Sequence, residues 1–385
     1  MTNTVEQATT RRLALDETHR RAGALMVERD GHLLPAVYGD AAAEYEAVRG
    51  GRGAGLIDLS ARGRVEVDGK DAVQFLNGLV TNDVKALAPG AWMWAALPNP
   101  QGRLLALARV WRAGEDARFL FDTEPATREV VFKSLERFSP AGDFRVEDAT
   151  GASAQLSVQG ARAAGVVADA LGEEAARLAR GRVTTVGPFG GVRVARATHT
   201  GEDGFDLVAS VDAAPGLWDA LAAAGARPVG QDALEVLRVE AGVARHGADV
   251  DATNVVLEAG VDEAVSYTKG CYVGQEIIAR IHWRGHVAKR LAGLVPADGE
   301  GAALSPGAKI KAADAAREIG RVTSAVFSPR LRKQIALGVV RYDFLAAGTG
   351  VLIECERGDC RAVVSELPFV RGGWYEDGAA SGAMS

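Results

Sequence analysis

Cysteine is scarce, with three in 385 residues, which excludes a miniprotein stapled by disulfides. An odd number of cysteines in a large chain points instead to a reducing compartment where thiols stay free. No stretch approaches the roughly 18 unbroken apolar residues that a spanning helix requires, so no bilayer crossing is expected. The N-terminal region mixes Arg11, Arg12, Arg20 and Arg21 with Glu6, Asp16 and Glu17 and lacks an apolar core, so neither a secretory signal nor an acid-poor transit peptide fits. The reading is cytoplasmic. Excess positive charge is also missing: 44 basic against 50 acidic side chains leave a net charge of −6. Nucleic acid and anionic membrane are therefore not attracted by the surface as a whole, and any anion site must be local. What is present is an ordinary globular balance, 48% hydrophobic and 24% charged, over a length that favours two or three packed units.

The chain announces its elements by periodicity. Asp40 to Arg49 reads as a short helix, broken by the glycines of 50–55 before the apolar stretch Leu56 to Leu59. Those glycines follow a helix and lead into a strand, whereas a dinucleotide fingerprint follows a strand and opens a helix, so they are a turn. Val65 and Val67 alternate as in a strand, Gly69 turns, and Ala72, Phe75, Leu76 and Leu79 share one helix face. The phrase returns at Leu156 and Val158, with Gly160 and a helical run to Leu171. Two such copies suit a pair of related α+β subdomains, with function in the cleft between them. Strands flank a hairpin connection at Thr200-Gly201-Glu202-Asp203-Gly204, and a helix runs from Asp232 to Ala241. Past Lys289, short strands separated by Gly, Pro and Asp predict a small all-β domain, and 372–385 reads as a loose tail.

The stretch Lys269-Gly270-Cys271-Tyr272-Val273-Gly274-Gln275-Glu276 carries the strongest chemical signal. Flanking glycines can hold a thiol at a surface, and Lys269 would favour its thiolate, making Cys271 a nucleophile or soft-metal ligand. The alternative is a small buried residue in a turn. Cys355 and Cys360 flank a hairpin and read as ordinary strand cysteines, so three thiols are too few for a permanent cluster. His282 and His286, four apart, could share a zinc, but Gly285 and the basic neighbours Arg280, Arg284, Lys289 and Arg290 better suit an anionic tail or a solvated face.

The Lys-Gly-Cys-Tyr-x-Gly-Gln-Glu phrase, with Ile278-Ala279-Arg280 and Arg284-Gly285 downstream, resembles the signature of the YgfZ-type folate-binding proteins, within the glycine-cleavage T-protein (aminomethyltransferase) superfamily. Gly55 to Ser60, Leu79 to Val84, Thr200 to Phe205, Leu237 to Gly242 and Gly320 to Ser324 are similar to T-protein phrases too. The resemblance implies an α+β fold with duplicated ferredoxin-like subdomains around a tetrahydrofolate cleft. These would fill a module over 1–286, followed by a small C-terminal β-barrel domain over 287–371.

By that resemblance the ligand is tetrahydrofolate or a reduced derivative. Asp206 would accept the paired N–H donors of the pterin, Arg238 would contact the folate, and His199 would stand where T-proteins carry a tyrosine. Lys269, Tyr272 and Gln275 are grouped with them as binding residues around Cys271. Each has a plainer reading, Asp206 as a solvated strand residue and Arg238 as a partner for Glu235. The transfer aspartate that T-proteins carry after an Asn-x-x-Gly turn is missing from Asn99-Pro100-Gln101-Gly102-Arg103-Leu104-Leu105-Ala106, with Ala106 in its place. Aminomethyl transfer is thereby disfavoured. The leading expectation is an accessory protein of iron–sulfur cluster assembly or repair, partnered by iron–sulfur proteins or their assembly factors and acting through Cys271. The alternative is a folate-dependent aminomethyltransferase of the glycine cleavage system.

Overall fold

The computed structural model describes residues 11–297, 303–314, 317–356 and 358–376. Two of its sheets are copies of one plan. In the five-stranded sheet, Gly63–Asp68 is followed by the helix Ala72–Leu79, then by the meander Ala91–Pro98, Leu104–Arg112 and Arg118–Thr123, and by the helix Arg128–Glu136. In the six-stranded sheet, Ser153–Gln159 is followed by the helix Ala163–Leu171, then by Val183–Val186, Val192–Arg196 and Gly204–Ser210, and by the helix Ala214–Ala223. The helix Ala41–Arg49 starts at Asp40, whose side chain accepts from the Ala42 N–H, satisfying one of the orphan donors of the first turn. This agrees with the repeat read from periodicity and with an α+β class.

Strand alternation gives each sheet two faces of different character. One face of the first sheet carries Val65, Val67, Ala106, Ala108 and Phe121 into an apolar core with its helices, and Leu156, Val158, Phe205 and Leu207 do the same in the second. The opposite faces meet sheet on sheet. Trp111 and Leu120 pack there against Val183, Ala195 and Val208, while Arg64, Arg109, Asp122, Gln155 and Asp206 put buried polar groups between the sheets. The Gln155 side chain, Asp122 Oδ2 and Arg109 Nε in this layer have no hydrogen-bond partner among the described residues.

Six strands from Lys289–Pro296 to Gly358–Ser365 close a barrel, which removes exposed sheet edges. It docks on the helix Gln231–Glu240 through Val239, Leu291, Ile335 and Leu337. Polar ties reinforce the contact: Arg238 donates to Asp249 and Ser324, and Ser328 donates to Glu240. Three features lay outside the sequence reading. A helix Asp16–Arg21 and a hairpin Leu25–Arg29/His32–Val37 precede the repeat. The expected tail begins instead with a helix, Gly373–Glu376, where Trp374 lies 4.8 Å from the Arg180 guanidinium; residues 1–10 and 377–385 lie outside the described residues. Cys355 and Cys360 are paired as a disulfide across the last hairpin, where free thiols were expected, because antiparallel pairing brings their Cα atoms to 6.1 Å. No helix among the described residues is long and apolar enough to cross a membrane.

Candidate functional site

The hairpin that joins Val192–Arg196 to Gly204–Ser210 is clamped from below. Gln159 accepts from the His199 backbone N–H at 3.1 Å and from Thr200 Oγ1 at 3.1 Å. A Cβ at Gly204 would lie 2.2 Å from the Gln159 amide, so only glycine admits this clamp. The hairpin thereby fixes His199 above Asp206, whose side chain is fully buried.

Asp206 is held from two sides. Arg109, from the facing sheet, donates from Nη1 to Oδ2 at 2.6 Å, and His199 Nε2 lies 2.9 Å from the same oxygen and 3.1 Å from Oδ1. Burial alone would raise the Asp206 pKa, but the neighbouring His199 and Arg109 hold it well below the usual carboxylate range. Burial, with Arg109 adding to it and Asp206 opposing, pushes His199 down. Aspartate is therefore the anion and histidine the neutral partner at pH 7. Nε2 faces both Asp206 and, at 3.0 Å, Arg109 Nη1; Arg109 makes its shorter contact, 2.6 Å, with Oδ2, so the ionised carboxylate favours the proton on Nε2, which leaves Nδ1 as an unprotonated acceptor. Trp92 and Trp94 lie 5.4 and 4.8 Å from the Arg109 guanidinium and keep this cation against apolar surface.

His199 lines a cavity of about 100 Å³ together with Asp58, Arg62, Glu124, Arg238 and Arg245. Most of those charges are already matched. Arg62 donates to Asp122 and Glu124; burial would raise the Glu124 pKa, but Arg62 keeps it low. Asp58 bonds His19 at 2.8 Å, which opposes burial and holds the acid below its ordinary range. Glu235 faces both Arg238 and Arg245. A second cavity, of about 740 Å³, adjoins the first, because Glu235 and Arg245 line both. It opens toward the barrel past Asp249, Lys289, Arg321 and Thr323, and Lys289 and Arg321 make no ion pair among the described residues.

The residues singled out from sequence separate into two places. His199, Asp206 and Arg238 come together at the junction of the sheets and the helix Gln231–Glu240. Arg238 is occupied there by Glu235, Asp249, Ser324 and the Val243 carbonyl, so it fastens the barrel to the helix. Lys269, Cys271, Tyr272 and Gln275 line neither cavity. Cys271 is exposed, Tyr272 packs in an apolar cluster with Leu107 and Ile278, and Gln275 opens the helix Gln275–Arg284. The Lys269 ammonium donates to the carbonyls of Val80 and Asn82 at 2.8 and 2.7 Å rather than to the thiol, and burial lowers its pKa to about 8. His282 stacks on Tyr267, while His286 stacks on Tyr342. We expect Lys269→Met to destabilise the fold by about 1–3 kcal/mol, the cost of leaving those acceptors unmatched. The rate at which a disulfide reagent labels Cys271 should stay unchanged; a slower rate would show that Lys269 activates the thiol after all.

Alternation also revises the reading of the missing acid. Ala106 pairs with Leu97 and points into the apolar core, whereas Leu107 pairs with Ala96 and lies on the other face, which Arg109 shares. That face of Leu104–Arg112 carries leucine, arginine and tryptophan, and no carboxylate. Sequence reasoning missed Arg109, Arg62 and Glu124; a lone arginine inside the apolar run Leu104 to Trp111 was the available signal.

Comparison with known proteins matches residues 15–269 to the GCVT N-terminal domain and residues 289–371 to the glycine cleavage T-protein C-terminal barrel domain. An aminomethyltransferase of Rubrobacter xylanophilus is 35% identical over 369 residues, 95% of this chain and 96% of that one. An aminomethyltransferase of Streptomyces coelicolor is 32% identical over 371 residues, 94% and 98% of the two chains. The crystal structure of the glycine cleavage system aminomethyltransferase T from Bartonella henselae superposes with a TM-score of 0.86 at 27% identity, covering 94% of this chain and 98% of that one. These findings overturn the iron–sulfur accessory reading: the full-length relatives are named aminomethyltransferase, none of those compared points to the YgfZ type or to cluster assembly, and the motif behind that reading lies away from both cavities.

Proposed function

The chain belongs to the glycine cleavage T-protein family, and from that premise we propose that it is a folate-dependent transferase of the aminomethyltransferase type, moving a one-carbon unit from an amine donor to a reduced folate. The observation that carries this reading is the pair of adjoining cavities at the junction of all three structural units, in a chain that matches aminomethyltransferases from end to end. Tetrahydrofolate is a substrate here.

The residues fit such a ligand unevenly. The outer cavity is within the range of about 300–1,000 Å³ that ligands of this size occupy, and Lys289 and Arg321 offer cations to the carboxylates of a glutamyl tail. The inner cavity is too small for a pterin as it stands, and both Asp206 oxygens are engaged. A pterin using that carboxylate would have to displace Arg109, so Asp206 serves this reading as the support of His199.

Incubating the protein with tetrahydrofolate and an aminomethylated lipoyl carrier protein tests the proposal, with ammonia and 5,10-methylenetetrahydrofolate as the readout. Both products are expected in equal amounts, at a rate that saturates with tetrahydrofolate. A rate no higher than without the protein would overturn it.

A further inference from the structure

The inner cavity holds several ionisable groups, but among the described residues only one of them is a neutral side chain with an unpartnered acceptor. Glu124, Asp58 and Glu235 are each matched by a cationic or histidine partner, and Asp58 and Glu124, held low by theirs, are poor proton acceptors at pH 7. Arg62, Arg238 and Arg245 only donate. Asp30 is exposed. His199 differs from all of these. His199 lines the cavity, its Nε2 is engaged by Asp206 at 2.9 Å and by Arg109 at 3.0 Å, and its Nδ1 has no hydrogen-bond partner among the described residues. Asp206 is fixed in turn by Arg109, whose Nη2 donates to the Thr198 carbonyl beside His199.

We infer that His199 is the proton-transfer group of this site, presenting Nδ1 to the cavity, with Asp206 and Arg109 as the residues that position it. This assignment rests on the transferase reading above and deepens it. It also supplies what the inter-sheet face of Leu104–Arg112 lacks, since neither Leu107 nor Arg109 can take a proton. In each exchange the folate nitrogen forms a bond to the one-carbon unit and gives its N–H proton to Nδ1. The bond from that carbon to the departing nitrogen or sulfur breaks, with the electron pair leaving on that atom, and the imidazolium returns the proton to it. A methylene bridge needs two such exchanges. The aspartate behind the ring orients it and stabilises the transient imidazolium, the role that a buried carboxylate plays in histidine dyads generally.

The charged groups around the ring are Asp206, Arg109, Arg62 and Glu124. The site needs neutral His199, and burial lowers its pKa from 6.5, so the acid limb of the kcat profile is expected below pH 6.5. His199→Gln should lower kcat by about 10²–10⁴-fold, leave tetrahydrofolate affinity in place and abolish the acid limb, and added imidazole should restore part of the rate. Asp206→Asn should lower kcat and shift the limb. An unchanged kcat in His199→Gln, or loss of folate binding in parallel with kcat, would overturn the assignment. A second readout does not depend on turnover: nitrogen-15 spectra of the wild-type histidines should show His199 protonated on Nε2 and bare on Nδ1 at pH 7. The opposite tautomer would refute the proposal even in an active enzyme. The expected tautomer in a protein without transferase activity would instead place the fault in the transferase reading.

Discussion

Arg109→Leu is expected to destabilise the protein by about 3–5 kcal/mol, the cost of leaving one member of a buried ion pair unmatched. The carboxylate it abandons, Asp206, has no exposed surface and faces the inter-sheet layer. His199 would remain as its only strong partner, and the pair would be driven toward a protonated histidine. The double variant Arg109→Leu/Asp206→Leu should recover most of the loss, because a buried pair replaced by apolar groups of similar volume is often neutral. Urea unfolding followed by circular dichroism over the four proteins gives the coupling directly. A cost below about 1 kcal/mol for Arg109→Leu, typical of an exposed pair, would mean that the sheets do not enclose this pair in solution.

A comparably large effect is expected where a carboxylate is put back at the position that linear alignment suggests. Ala106→Asp places an acid among Val65, Leu97, Val110 and Phe121, at a site with no exposure. Burying an unpaired carboxylate costs several kcal/mol, part of which it avoids by holding its proton. Its pKa is then higher in the folded than in the unfolded chain, so the folded state binds more protons and stability falls as pH rises. Relative to wild type, the variant should be least destabilised near pH 4 and most destabilised above pH 7. Leu107→Asp lies on the opposite face at 9% exposure and should cost less, with a weaker dependence on pH. Equal losses at the two positions would show that the alternation assigned to this strand is wrong.

Much of the architecture was legible because it is local. A strand at Val65 and Val67, a glycine turn and a helix through Leu79 form one short stretch, and the second copy at Leu156 to Leu171 repeats it with the same spacing of apolar residues. The barrel strands likewise follow from turn residues and alternation. The site was legible only in part, because its contacts join distant positions. Arg109 and Asp206 are 97 residues apart, and an arginine in an apolar strand gives no sign of the partner it will meet across a sheet interface. The phrase around Cys271 misled for the opposite reason. Gly274 and Lys269 have local tasks: Gly274 takes φ +76° where a Cβ would sit 2.5 Å from the Asn99 carbonyl, and Lys269 ties two backbone carbonyls. A distinctive motif here holds a loop in place, outside both cavities.

A reduced folate bound across the two cavities that meet at Arg245 should be seen by calorimetric titration of tetrahydrofolate into the wild-type chain and into Arg245→Glu. Saturable one-to-one binding that the charge reversal weakens tenfold or more is the predicted result. An absence of binding at millimolar tetrahydrofolate, or binding of equal strength in both proteins, would contradict the account.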